Sequence, residues 1–161
     1  MQKKMRMGIC LMAALSCLTL AACGGDTAKY RDMPAQELTQ AITEKVEFSM
    51  LSPMDAETMA VMYPNLDTSK LADSSVQFTM VNIKANELAV FKVQDAQDTA
   101  MVEQACRERA QTIAQNFAMY LEDQKTIAEN PLIQTYGNYV LFAIHEDTAQ
   151  IQNIFEQLIQ G

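Results

Sequence analysis

The chain has 161 residues, a formal net charge of −8 and apolar residues at 49% of positions, enough for one hydrophobic core. Twenty acidic residues outnumber twelve Lys and Arg and no basic stripe is visible, so nucleic acid is excluded as an expected partner. With five glycines and no G-x-x-x-x-G-K, G-x-G-x-x-G or G-x-S-x-G motif, nucleotide-dependent activity is not expected either.

The first 22 residues have the three regions of a secretory signal peptide. Residues 1–6 are positively charged, and residues 7–20 form an apolar run that is too short to span a bilayer. The segment Leu20-Ala21-Ala22-Cys23 resembles the lipobox of bacterial lipoproteins. We predict signal cleavage between Ala22 and Cys23, with a diacylglyceryl group on the cysteine sulfur. The alternative is an ordinary signal peptidase site beside a coincidental cysteine.

Cleavage there changes the charge and the thiol content of the exported part. Three basic residues leave with the leader, so nine Lys and Arg remain against twenty acidic residues, a net charge of about −11. Cys106 becomes the single free thiol, which rules out an intramolecular disulfide in the domain. We expect residues 23–33 to form a polar tether and residues 34–161 to form one extracytoplasmic domain.

Two helices are predicted first in the domain. Residues 34–46 carry apolar positions at helical spacing after Pro34. The segment Ser52-Pro53-Met54-Asp55 is a second start signal, in which serine caps, proline fits the first turn and aspartate favours the positive helix end. Tyr63-Pro64 ends this helix.

A hairpin and a long helix are predicted next. Residues 76–81 alternate between apolar and polar positions, as in a half-buried strand, and residues 88–93 form a more apolar strand. The short connection at residues 82–86 makes the pair an antiparallel hairpin. Asp95 and Asp98 then begin a helix that ends at about Asp123.

The last elements are two strands and a helix. Residues 132–136 and 139–144 read as strands that meet at Gly137-Asn138, and Asp147 caps a final amphipathic helix. The element order is two helices followed by ββαββα. It predicts an α+β fold, in which helices cover one face of an antiparallel sheet of about four strands.

Two segments resemble a known family. They are ANELAVFKVQD at residues 85–95, before the long helix, and GNYVLFAI at residues 137–144, before the last helix. Both resemble the lipoprotein family of the domain of unknown function 4358, whose members come mostly from Firmicutes. The resemblance covers roughly residues 38–158. It implies an exported, anchored domain and provides no activity or catalytic residues to transfer.

Two residues of the domain are candidates for chemistry. His145 is the only histidine and precedes Glu146 and Asp147, so a metal site or a general base is conceivable. A metal would need further ligands at defined spacing, which favours a surface histidine beside a helix cap. Cys106 could be a nucleophile, but its position on the apolar side of the long helix favours a buried, unreactive thiol.

Methionines and paired carboxylates are weaker candidates. Met54, Met59 and Met62 have a spacing that could bind copper(I), although the same spacing builds a core and packing is favoured. Paired carboxylates could serve calcium binding or glycosidase chemistry, but two of the pairs stand where helices begin. The pairs are Asp95/Asp98, Glu122/Asp123 and Glu146/Asp147. We therefore assign no catalytic and no metal-binding residue.

Together these features predict a lipoprotein held at the extracytoplasmic face of the cell membrane through Cys23. We expect a non-enzymatic binding or interaction module without a cofactor, whose partner is an envelope protein or a wall component at the cell surface. A small extracytoplasmic hydrolase and a solute-binding lipoprotein are the alternatives. The first would need a polar cleft around His145, and the second an apolar pocket of a few hundred cubic ångströms.

Overall fold

The computed structural model describes residues 30–160. The predicted signal peptide, its cleavage site at Ala22 and Cys23, and most of the predicted tether lie outside the described residues and stay predictions. Within residues 30–160, no helix has both the length and the apolar character that crossing a bilayer requires.

A five-stranded antiparallel sheet is the centre of the fold, with strand order β1-β2-β3-β5-β4. The strands are β1 (Leu51–Pro53), β2 (Leu71–Thr79), β3 (Glu87–Val93), β4 (Leu132–Tyr136) and β5 (Tyr139–Ile144). The helices are α1 (Ala35–Thr43), α2 (Ala56–Met62), α3 (Thr99–Phe117), α4 (Glu122–Glu129) and α5 (Thr148–Gln160). Short 3-10 helices occupy Thr68–Lys70 and Ala96–Asp98. The predicted α+β class is confirmed.

Two of the three inner strands, β3 and β5, are buried on both faces of the sheet. Their apolar runs are continuous, and successive side chains of a strand point to opposite faces. Ala89 and Phe91 of β3 belong to one core, which we call the first core. Leu88 and Val90 belong to the other, the second core.

Helices cover both faces rather than the one face that we expected. α3 packs on the first core through Cys106 and Ile113, whereas α1 and α5 pack on the second core through Leu38 and Phe155. The second layer is needed because a sheet whose inner strands are apolar on both sides must bury both sides. Among residues 30–160, the buried residues of the two cores all lie between Ala35 and Ile159.

The structure departs from the predicted elements most clearly in three places. Ser52-Pro53 lies in the edge strand β1, where proline is tolerated, and Asp55 is the helix cap, its carboxylate accepting a hydrogen bond from the Thr58 amide at 2.7 Å. The predicted long helix is two helices, because Leu121 leaves the helical conformation (φ −138°) and packs against the first core. β2 begins at Leu71, before the predicted start at residue 76.

The sheet has two distinct ends. β3 and β5 pair from Glu87↔Ile144 to Lys92↔Tyr139, which places the β2–β3 loop, residues 80–86, at the Glu87 end. We call this the loop end. Tyr30 lies at the opposite end, which we call the tether end, because its ring contacts Gly137 in the β4–β5 turn. Seven residues of β3 separate the two ends by about 20 Å.

Gly137 provides a test of the tether end. Its φ is +60°, and a Cβ placed on it would lie 2.7 Å from Cδ2 of Tyr30. We expect Gly137→Ala to lower the free energy of unfolding by about 1–3 kcal/mol, because the substitution adds left-handed strain and displaces Tyr30. Urea denaturation measures this, with the exposed helical substitution Gln115→Ala as the control. Equal stability of the two variants would contradict this packing.

Candidate functional site

A buried ion pair joins the sheet to α3. Glu87, the first residue of β3, is 1% exposed, and Arg109 of α3 is 8% exposed. The guanidinium binds the carboxylate through two nitrogens: Nε lies 3.1 Å from Oε1 and 3.0 Å from Oε2, and Nη2 lies 2.6 Å from Oε2. This two-pronged geometry is the strongest arrangement for an arginine and a carboxylate.

Tyr63 and Met62, at the end of α2, complete the buried polar cluster. The Tyr63 hydroxyl donates to Glu87 Oε1 at 2.5 Å, and Arg109 Nη1 donates to Met62 Sδ at 3.3 Å. Burial, followed by the charge of Glu87, raises the pKa of Tyr63 well above its ordinary value. Burial alone would lower the pKa of Arg109, but its bonds to Glu87 outweigh this and raise it. Tyr63 therefore stays neutral and Arg109 stays charged.

Glu87 and Arg109 were not identified from the sequence. The signals that could have found them are a carboxylate directly before an apolar strand and an arginine on the same helix face as Cys106 and Ile113. A charge at each of these positions must be buried, and buried charges are almost always paired.

A cleft of about 320 Å³ opens at the loop end beside this pair. The β2–β3 loop, the end of β2, the C-terminal half of α3 and the end of α2 form its walls. We call it the loop-end cleft. Its apolar lining consists of Met62, Phe78, Met80, Val81, Ala85, Ile113, Phe117 and Tyr120. Its polar lining consists of Thr79, Asn82, Lys84, Asn86, Glu87, Arg109 and Asn116.

Large apolar side chains are exposed around this cleft. Met80 is 73% exposed, and Ile83, Met119 and Tyr120 are also exposed. The Tyr120 hydroxyl donates to the Asn82 carbonyl at 2.9 Å, which ties the end of α3 to the β2–β3 loop. An exposed apolar group of this kind, beside a cleft, is typical of a binding surface.

His145 links two loops by hydrogen bonds. Its Nδ1 accepts from the Asp147 amide at 2.9 Å, so Nε2 carries the proton and donates to the Glu47 carbonyl at 3.0 Å. The ring packs against Phe48 at 4.5 Å between centroids. Both ring nitrogens thus hold backbone groups, and Asp147 caps α5 by accepting from the Gln150 amide at 3.1 Å.

Cys106 is fully buried, as predicted. Burial, with a further contribution from Glu87, raises the pKa of its thiol well above the ordinary value. The methionines of the α2 region are partly buried: Met54, Met59 and Met62 pack against the first core.

In each of the three carboxylate pairs, at least one side chain makes a hydrogen bond or an ion pair with another residue of the domain. Asp95 accepts from the Gln97 amide at 3.0 Å. Glu122 and Glu146 make ion pairs with Lys125 at 2.9 Å and with Lys84 at 3.1 Å. Across residues 30–160, no group of three or more His, Cys, Asp and Glu side chains is placed to hold a metal ion.

These observations define the class of protein: an α+β domain with a central antiparallel sheet between two helical layers and an apolar cleft at one end of the sheet. The chain belongs to the family of the domain of unknown function DUF4358, whose model matches residues 44–145. The match begins and ends inside the range expected from the resemblance, and it contains Glu87, Arg109 and the whole loop-end cleft. No curated protein and no solved structure matches the chain.

The first prediction for this site concerns the stability that the buried ion pair provides. Glu87→Ala and Arg109→Ala should each lower the free energy of unfolding by about 3–5 kcal/mol, because each leaves one buried charge without its counterion. The double variant Glu87→Leu/Arg109→Met should be more stable than either single variant. Urea denaturation measures all three, with Lys125→Ala in an exposed ion pair as the control. If the double variant lost as much free energy of unfolding as the two single variants lose together, the pairing would be contradicted.

The second prediction concerns the reactivity of the Cys106 thiol. In a chain that begins at Gly24 it is the only thiol, and its burial should keep it from an aromatic disulfide reagent at pH 8. We expect the folded protein to react at least about a hundredfold more slowly than the same protein in denaturing urea. Absorbance of the released thiolate follows the reaction. Equal rates would show that Cys106 is accessible.

Proposed function

We propose that the chain is a lipid-anchored extracytoplasmic lipoprotein whose domain binds another envelope protein through the loop-end cleft, without catalysis. The observation that carries the proposal is the group of exposed apolar side chains around this cleft, at the end of the sheet opposite Tyr30. Exposed methionine and aromatic side chains gain free energy when a partner buries them, and methionine adapts to irregular partner surfaces.

The geometry supports a cleft that faces away from the membrane. Lipid on Cys23 would leave seven residues to Tyr30, which reach at most about 25 Å when fully extended. Tyr30 enters at the tether end, and β3 separates that end from the cleft by about 20 Å. A domain held by the tether end therefore presents the cleft to proteins in the envelope space.

A hydrolase receives less support from these contacts. His145 uses both ring nitrogens for backbone groups, and Cys106 is fully buried. General base catalysis by His145 would first require the loss of the bond from the Asp147 amide, because that bond occupies the nitrogen lone pair.

A solute-binding lipoprotein is the second candidate, and the cleft volume favours it. About 320 Å³ falls at the lower end of the range for small-molecule sites, and apolar residues line much of the cleft. The wide exposure of Met80 and its neighbours favours the protein partner, because a small solute would leave these side chains in water.

The test combines cross-linking in intact cells with two matched variants. Met80→Glu places a carboxylate on the cleft, whereas Val61→Glu places one on α2, at a residue that is 72% exposed and outside the cleft lining. We expect a recurrent partner protein with wild type and with Val61→Glu, and a loss of at least about tenfold in its yield with Met80→Glu, because a carboxylate would have to be desolvated at the interface.

Cys23→Ala tests the anchor in the same cells. We expect this variant to be absent from the membrane fraction and to lose the cross-linked partner. Without the anchor, the domain is no longer concentrated at the membrane beside that partner. Equal partner yields from Met80→Glu and Val61→Glu would contradict the role of the cleft. A Cys23→Ala variant that stays in the membrane fraction would contradict the lipid anchor.

A further inference from the structure

The polar groups at the base of the loop-end cleft limit what can bind there. Arg109 lines the cleft and carries five N–H groups. Its Nε–H and one Nη2–H bind Glu87, and one Nη1–H binds Met62 Sδ. Tyr63 is a further side-chain hydrogen-bond partner of this guanidinium, so one N–H group is left without an acceptor among the residues that the structure describes. The side chain is more than nine-tenths buried, so an acceptor entering the cleft would bind a largely desolvated donor.

The charges of the cleft are already balanced within the protein. Glu87 neutralises Arg109 through the two-pronged contact, and Glu146 pairs with Lys84 at 3.1 Å. A carboxylate ligand would therefore bring an additional negative charge into a neutral site on a strongly acidic domain. Such a charge would lose its hydration without gaining a free counterion. A neutral acceptor avoids this penalty.

Three primary amides, those of Asn82, Asn86 and Asn116, also belong to the polar lining. Asn86 is buried and donates through Nδ2 to the Ile144 carbonyl at 3.4 Å, and Asn116 lies exposed on α3. Amide side chains both donate and accept, so they match main-chain amide groups. Around them the lining is apolar, as a segment with apolar side chains requires.

We propose that the loop-end cleft binds an uncharged apolar peptide segment of the partner, with a main-chain carbonyl of that segment accepting from Arg109. This inference rests on the proposed function and specifies its ligand chemistry. Glu87 acts as the selectivity residue, because its charge cancels that of Arg109 and so favours an amide over a carboxylate.

The experiment uses two matched peptides and the chain that begins at Gly24, which contains both cores. The probes are N-acetyl-Leu-Phe-Leu-amide and the same tripeptide with a free carboxyl terminus. Nitrogen-15 NMR follows the Arg109 Nε–H signal, and Arg107, whose Nη2 pairs with Glu103 on the same helix, is the internal control. We expect the amide to bind at least about tenfold more tightly than the acid and to shift the Arg109 signal only.

A Glu87→Gln variant tests the selectivity directly. Glutamine has the same shape and keeps an oxygen acceptor for Tyr63 and Arg109, but it leaves the cleft with one uncompensated positive charge. We expect the preference to reverse in favour of the free acid. An NMR spectrum of the variant that matches the wild-type spectrum verifies its fold. If the variant does not fold, the comparison of the two peptides on the wild-type protein still tests the inference.

Three results would overturn the inference. They are equal or tighter binding of the free acid to wild type, no shift of the Arg109 signal with either peptide at millimolar concentration, and tighter binding to phosphatidylcholine vesicles than to the amide. None of these three results would change the cross-linking of a partner protein that depends on Met80. Failure of this inference is therefore distinguishable from failure of the proposed function.

Discussion

The contact between Glu87 and Arg109 is the constraint on which the arrangement of the loop end depends. It joins β3 to α3 and, through Tyr63, brings in α2, a short helix with no buried residue of its own. An apolar pair of the same volume could be as stable, since ion pairs lose their hydration on burial. A charged pair is more directional, however. It holds α2 and α3 in one orientation relative to the sheet, and the cleft lies between them.

The inner elements of the fold could be predicted because their apolar patterns are long and regular. Residues 88–93 and 139–144 are buried on both sides in the structure, and the pairing of β4 with β5 through Gly137-Asn138 follows the turn signal. The same runs imply that both faces of the sheet are covered. The alternation of residues 76–81 favours the opposite expectation, a sheet with one exposed face.

The outer elements could not be predicted in the same way. β1 is three residues long and contains Pro53, so it has no usable periodicity and exists only through its pairing with β2. The break between α3 and α4 depends on Leu121 packing against the first core, which is a tertiary contact. The site presents the same difficulty. Glu87 and Arg109 are adjacent only because α3 packs on the sheet with Arg109 against the first residue of β3. A single charged residue in an apolar segment does not indicate which residue it pairs with.

The net charge, the anchor and the neutral cleft form one consistent arrangement in the proposed lipoprotein. Without residues 1–22, as proposed, the chain would have a net charge of about −11, and anionic lipid headgroups would repel it within the short range that salt allows. This repulsion opposes contact between the surface of the domain and the membrane, and it favours the orientation in which the loop end points away from the membrane. Free cations at the cleft would work against this by attracting headgroups to the apolar rim. Because Lys84 and Arg109 are each paired with a carboxylate, the exposed apolar side chains would remain available to the proposed protein partner rather than to the lipid surface.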